Sequence, residues 1–200
     1  MKTQLTHSEA CERNKHPIGE KLTHHFESCN TVLEIGSGTG QHAVFFSEQM
    51  PYLSWQPSEL PEHLHNLQAR IDQNPLPNLK SPINIDVRNS HWSPHRYDAI
   101  FSANTLHIMA WPLVQSLFQG VMQHLKPNGL LCIYGPFRYQ QAYTSQSNAE
   151  FDQWLQKRDA GSGIRDIEDL IALGKEHQLT LLHDYTMPAN NQLLIWGNPS

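Results

Sequence analysis

Short apolar runs alternate along this chain with longer stretches whose apolar residues recur at helical spacing. The runs at Thr31–Ile35, Tyr52–Gln56, Ile83–Val87, Tyr97–Ser102 and Leu130–Tyr134 read as short buried strands. Leu179–Asp184 and Gln192–Trp196 read as two more. Between them the pattern predicts helices at 17–28 with Pro17 in the first turn, at 40–49, from Pro61 to Ile71, and from the fourth strand to Leu125. Ser147-x-x-Glu150 has the form of a capping box for a helix at 149–157, and Asp166 can cap another through Lys175. Residues 74–82 read as a connecting loop and 126–129 as a turn. Residues 135–148 lack periodicity, so a lid loop is expected over 136–148.

Strand–helix alternation of this kind implies α/β architecture, a parallel sheet with helices on both faces. The last two strands break the rule. Only a short link containing Pro188-Ala189-Asn190-Asn191 joins them, which favours an antiparallel hairpin over a crossover. The expectation is therefore a mostly parallel seven-stranded sheet with one antiparallel C-terminal strand, in a single domain over 1–200 whose first 30 residues form a helical segment.

Composition narrows the functional classes. Acidic residues number 19 against 14 Lys plus Arg, a net charge of −5 without a basic cluster, so no nucleic-acid partner is expected. The 13 His leave a weak polyanion affinity open below neutral pH. Cys11, Cys29 and Cys132 form no CxxC pair, and no leader-like or membrane-spanning apolar stretch is present, which points to a cytoplasmic protein. The dispersed histidines, His24-His25 and His63-x-His65 included, suggest no metal site.

The chemistry concentrates at Glu34-Ile35-Gly36-Ser37-Gly38-Thr39-Gly40, between the first strand and the next helix. Glycines there allow a sharp turn and close ligand approach. Gln41-His42 excludes the Gly-Lys-Ser/Thr ending of a P-loop, and Gln41 stands where a dinucleotide fingerprint needs its third glycine. A tight packing turn without a ligand is the alternative. The acid-x-Gly-x-Gly-x-Gly pattern resembles motif I of class I S-adenosylmethionine-dependent methyltransferases, which implies a Rossmann-like class I methyltransferase fold and S-adenosyl-L-methionine as cofactor. On that resemblance Glu34, Gly36, Ser37, Gly38 and Gly40 face the methionine and ribose parts. Glu59 accepts the ribose hydroxyls, although Pro57-Ser58 displaces it past the expected strand end. Asp86 accepts the adenine amino group beside Val87. The structural alternatives are a solvated turn residue for Glu59 and a cap for Asp86. Asn104 and His107 follow the fourth strand at the reacting centre, His107 being either a general base or a structural histidine.

More specific stretches extend the resemblance over nearly the whole chain. They include Glu12-Arg13-Asn14-Lys15-x-Pro17-Ile18, Trp55-Gln56-Pro57-Ser58-Glu59 and Ser102-Ala103-Asn104-x-Leu106-His107-Ile108. Tyr134-Gly135-Pro136-Phe137, Ser147-Asn148-Ala149-x-Phe151-Asp152, Gly163-Ile164-Arg165-Asp166 and Met187–Asn191 continue it. Together these look like the methyltransferase-like 26 family, whose members often carry Asp at the Glu59 position. The substrate is expected outside the carboxyl ends of the strands. Tyr134, Phe137, Tyr139 and Tyr143 would supply aromatic walls, and Arg13 and Asn14 would close the site, Asn14 on the cofactor. Arg165 would face an acidic substrate or an internal salt bridge, and Asn148 the substrate or a helix cap. The expected function is methyl transfer to a small molecule. The alternatives are a non-catalytic adenosylmethionine-binding protein acting through a partner and, less favoured because of Gln41, an NAD-dependent oxidoreductase.

Overall fold

A computed structural model describes residues 5–89 and 91–198. Its elements run α1 (Glu9–His25), β1 (Thr31–Ile35), α2 (Gln41–Gln49), β2 (Ser54–Glu59), α3 (Leu64–Gln73), β3 (Ile83–Asn84), β4 (Tyr97–Ala103) and α4 (Trp111–His124). They continue with β5 (Leu125–Gly135), β6 (Phe137–Tyr139), β7 (Ala142–Tyr143), α5 (Gln146–Arg158), β8 (Arg165–Asp166), α6 (Ile167–Glu176), β9 (Thr180–Met187) and β10 (Asn191–Gly197). The main sheet has seven strands in the order β3-β2-β1-β4-β5-β10-β9. Pairing is parallel from β3 to β5, and β10 is antiparallel to both neighbours. The expected hairpin closes through a short 3-10 turn at Pro188–Asn190.

The central strands are apolar on both faces because helices cover both. Leu33, Ile100, Ile133 and Leu194 pack with Leu117 and Phe118 of α4 and Leu170 of α6. Their alternating neighbours Val32, Phe101, Cys132 and Leu193 pack instead with Leu22 of α1, Phe46 of α2 and Leu67 of α3. The period-two register of the strands thus sorts the core into two layers.

Several boundaries differ from the sequence reading. Helix α1 starts at Glu9, eight residues before Pro17, which lies in its interior. The Ser8 hydroxyl caps it by accepting from Cys11 N at 3.3 Å, and Glu9 and Glu12 favour its positive end. Strand β2 runs through Pro57 to Glu59 because the proline's missing N–H falls at a gap. On that side Trp55 pairs with Leu79 and the register resumes only at Ser58, opposite Ile83. Strand β3 stops at Asn84, so Asp86 sits past its end. The long helical region after β4 is a turn over 104–110 followed by α4.

The stretch 136–148 is not an irregular loop. Strands β6 and β7 form a hairpin in a small second sheet with β8. Its two central residues, Gln140 and Gln141, have φ of +50° and +63°, the requirement of a type I′ turn usually met by Asn-Gly. Glu168 and Asp166 hold the turn by accepting from Gln140 N (3.1 Å) and Gln141 N (2.8 Å). The α5 cap is Ser145, which accepts from Asn148 N at 3.1 Å, two residues before the predicted Ser147.

Candidate functional site

A cavity of about 710 Å³ opens at the carboxyl ends of the parallel strands. The three glycines of the turn after β1 have φ of +71°, +53° and +73°, and they do different work. A Cβ on Gly36 would stand 2.7 Å from Thr105 Cγ2, and one on Gly40 2.7 Å from Leu67 Cδ1. These two let the turn pack against its own fold. A Cβ on Gly38 would meet nothing within 4 Å, so Gly38 alone faces open space. Beside it, Glu59 Oε2 accepts from Gly38 N at 2.7 Å while Oε1 accepts from Leu60 N at 2.8 Å. Both carboxylate oxygens retain acceptor capacity.

The structure brings Gly36, Ser37, Gly38, Glu59, Asp86 and Val87 together on the cavity wall. Asn104, His107 and Asn148 join them from the far side. Asp86 is held in a fork by Arg88, and this ion pair keeps its carboxyl below the usual carboxylate range. Asn104 adopts φ +58° where β4 ends, with its N–H on Tyr134 O at 2.8 Å. His107 is only 7% exposed. Burial, then the Arg165 guanidinium, pushes its imidazole down to about 4, so it is neutral near pH 7. No hydrogen-bond partner for that imidazole occurs among the described residues, and its ring meets Phe151 edge-on at 5.3 Å.

The turn carrying His107 is clasped from behind. Arg165 donates to the carbonyls of Leu106 (3.2 Å), Met109 and Gly161 (2.9 Å). Gly163 N donates to His107 O at 2.9 Å, and Ser162 Oγ to Ile108 O at 3.2 Å. Arg165 therefore does not line the cavity, and its fork is committed to backbone. Asn148 is no cap; its amide nitrogen donates to Thr144 Oγ1 and Asn190 O, both at 2.9 Å.

A sequence family described as "Protein of unknown function (DUF938)" matches residues 5–198. The chain belongs to the DUF938 family. Among solved structures, its fold is similar to an O-methyltransferase family protein from Burkholderia thailandensis (TM-score 0.81, 17% identity), covering 96% of this chain and 58% of that one. It is similar also to the apo form of the S-adenosylmethionine-dependent methyltransferase SibL (TM-score 0.79, 17% identity, 95% and 56% covered) and to PigF with SAH (TM-score 0.78, 14% identity, 90% and 54% covered). The chain thus spans little more than half the length of these proteins. At such identities the likeness establishes a Rossmann-like methyltransferase fold.

Other expected site residues of this DUF938 member lie away from the cavity. Glu34 is buried beneath the turn, accepting from Trp55 Nε1 at 2.9 Å, and burial pushes its carboxyl up to about 7. Asn14 is also buried, its Oδ1 accepting from His42 Nε2 at 2.7 Å. Arg13 is exposed, and Gly40 caps α2. Tyr134 and Phe137 are buried in the two core layers, on opposite faces of the sheet. Tyr139 donates to Asp184 and Tyr143 to Asp152, so neither forms the wall expected of it.

The sequence reading missed Gln41, and with it the true cover of the site. Gln41 Oε1 accepts from Ser8 N (2.6 Å) and Thr39 Oγ1 (2.9 Å), and its Nε2 donates to Glu12 Oε1 (2.5 Å). Arg70 adds bonds to Thr6 O and Thr39 O. The first turn of α1 is thereby latched over the glycine turn, and Ser8, Ala10 and Cys11 line the cavity. Phe151 and Asn191 were also overlooked, although both stand in stretches singled out by the family resemblance.

Proposed function

We propose that this protein binds S-adenosylmethionine in the cavity at the strand ends and transfers its methyl group to a small-molecule acceptor. The observation that carries this reading is the pairing of Gly38, open to the cavity, with the Glu59 carboxylate 2.7 Å from its amide. The lining suits the cofactor part by part. Glu59 offers acceptors for two ribose hydroxyls, and Ile85, Val87 and Leu60 offer apolar surface to a purine with Asp86 at its edge. The backbone at Gly36 and Ser37 would take the amino-acid end. The fold neighbours are methyltransferases, and PigF with SAH supports the same ligand class. The engagement of Gln41 with α1 gives no support to a dinucleotide. The finer resemblance to the methyltransferase-like 26 family, a cytoplasmic location and a single domain over the chain are part of this reading; among the described residues no helix is long and apolar enough to cross a membrane.

When bound, the cofactor supplies a methyl group already activated by the sulfonium. The chain's task is alignment and exclusion of water. Residues 8–11 cover the site, and Arg165 fixes the turn that presents His107. A neutral imidazole there accepts the acceptor hydroxyl's proton as its oxygen bonds to the methyl carbon. In that transfer the S–CH₃ electron pair would stay on sulfur, and His107 would pass the proton on to solvent. Calorimetric titration with adenosylmethionine and adenosylhomocysteine tests the reading, with Gly38→Ala as the variant that fills the open space. Binding by the parent, weakened by about tenfold or more in the variant, is expected. A folded parent that binds neither ligand refutes it.

A further inference from the structure

Charge is distributed unevenly around the cavity. Its charged lining residues are Glu59, Asp86 and Arg88, all at the ends of β2 and β3. The opposite wall, from the turn after β4, Pro136, α5 and residues 189–191, contributes no charged side chain among the described residues. There Ile108, Pro136 and Phe151 are apolar, and His107, Asn148 and Asn191 are uncharged or held neutral. Behind the wall, Arg165 spends its donors on three carbonyls but keeps its positive charge, which with that of Arg158 adds to burial in holding His107 neutral.

The same wall continues outward as exposed apolar surface. Phe151 stacks on Trp154 with ring centres 5.9 Å apart and planes within 14°. Trp154 is 53% exposed and Ile108 46% exposed, and neither helps to close a core. Arg158 lies over the outer ring, its guanidinium 5.3 Å from the centre. A ladder of flat rings thus leads from solvent through Trp154 and Phe151 to the unpartnered imidazole of His107. Surfaces of this kind select flat apolar molecules, because aromatic contacts add about 0.5–1.5 kcal/mol beyond area burial.

Building on the methyl-transfer reading, we propose that the acceptor is a planar aromatic molecule carrying a hydroxyl group, lying against Phe151 with that hydroxyl toward His107. Phe151 and Trp154 determine its specificity. The neutral imidazole of His107 has one lone pair to accept that hydroxyl's proton.

Matched probes test this. The first titration measures adenosylhomocysteine, and later titrations use protein saturated with it. Planar 2-naphthol and 4-phenylphenol are then compared with their saturated counterparts, decahydro-2-naphthol and 4-cyclohexylcyclohexanol. At least one aromatic probe is expected to bind about fivefold or more tightly than its saturated counterpart. Phe151→Leu and Trp154→Ala are expected to weaken that probe by about fivefold while leaving adenosylhomocysteine affinity within about twofold. Trp154 is exposed enough that its removal leaves the fold intact, which guards against a folding artefact at Phe151. Adenosylhomocysteine binding with no aromatic probe bound, with equal affinity for the saturated counterparts, or with both variants unchanged, overturns the acceptor assignment and leaves the cofactor reading standing. Absence of adenosylhomocysteine binding removes the cofactor reading and the acceptor assignment with it.

Discussion

Replacing Glu34 by Gln should stabilise the protein, and the gain should depend on pH. Glu34 is 2% exposed beneath the glycine turn. Burial raises its carboxyl from an ordinary value of 4.5 to about 7, against the opposing bonds from Trp55 and Ser37. Between those values the folded protein keeps a proton that the unfolded chain has released. Stability therefore falls as pH rises through this window and levels off above about 7. At about 1.4 kcal/mol per tenfold, the full penalty is about 3 kcal/mol above pH 7 and under about 1 kcal/mol near pH 5. Glu34→Gln keeps an acceptor for Trp55 Nε1 and cannot ionise. Urea unfolding followed by tryptophan fluorescence near pH 5 and pH 8 should show the variant's advantage growing by about 2–3 kcal/mol between the two. Other titrating groups are shared by both proteins and cancel in the comparison. An advantage independent of pH, or a variant less stable at pH 8, would refute the reasoning.

His42 and His107 act in the opposite sense. Burial lowers both from 6.5 to about 4, so the unfolded chain binds the extra protons and stability should rise with pH across that window. Histidine NMR should find both rings neutral at about pH 5.5, and titration near 6.5 would contradict the burial argument. Arg165→Ala should cost about 2–4 kcal/mol, since three carbonyls lose a charged donor, while Arg165→Lys recovers only part. Chemical denaturation measures this, and a neutral effect would remove Arg165 as the clasp behind His107. Gln41→Leu should leave the sheet intact but loosen the α1 cover. Amide exchange over residues 8–12 should rise about tenfold or more while that of α4 is unchanged.

Much of the architecture was legible because its signals are local. A run such as Val32-Leu33-Glu34-Ile35 must be buried on both faces, and the short 188–191 link forces β10 to run antiparallel. The glycine turn was legible for the same reason, since three positive φ values at fixed spacing need glycines. Local signals failed where long-range partners decided. Ser147 and Glu150 match a capping box, but Ser145 holds the cap because the preceding hairpin delivers it there. Pro17 reads as a helix start, yet α1 begins earlier because Ser8 meets Gln41, 33 residues away in sequence.

The sequence by itself determined the layered sheet, the turn after β1 and the acid after β2, because periodicity, backbone restriction and strand order act within a few neighbours. Only the tertiary structure decided how the functional side chains are used. Arg165 turned to three carbonyls rather than to a ligand, Glu34 sank beneath the turn, and Phe151 joined His107 on an uncharged wall. Each outcome depends on whether partners distant in sequence meet a polar group or leave it open to the cavity. Burial and pairing are properties of the packed molecule, and no local pattern carries them.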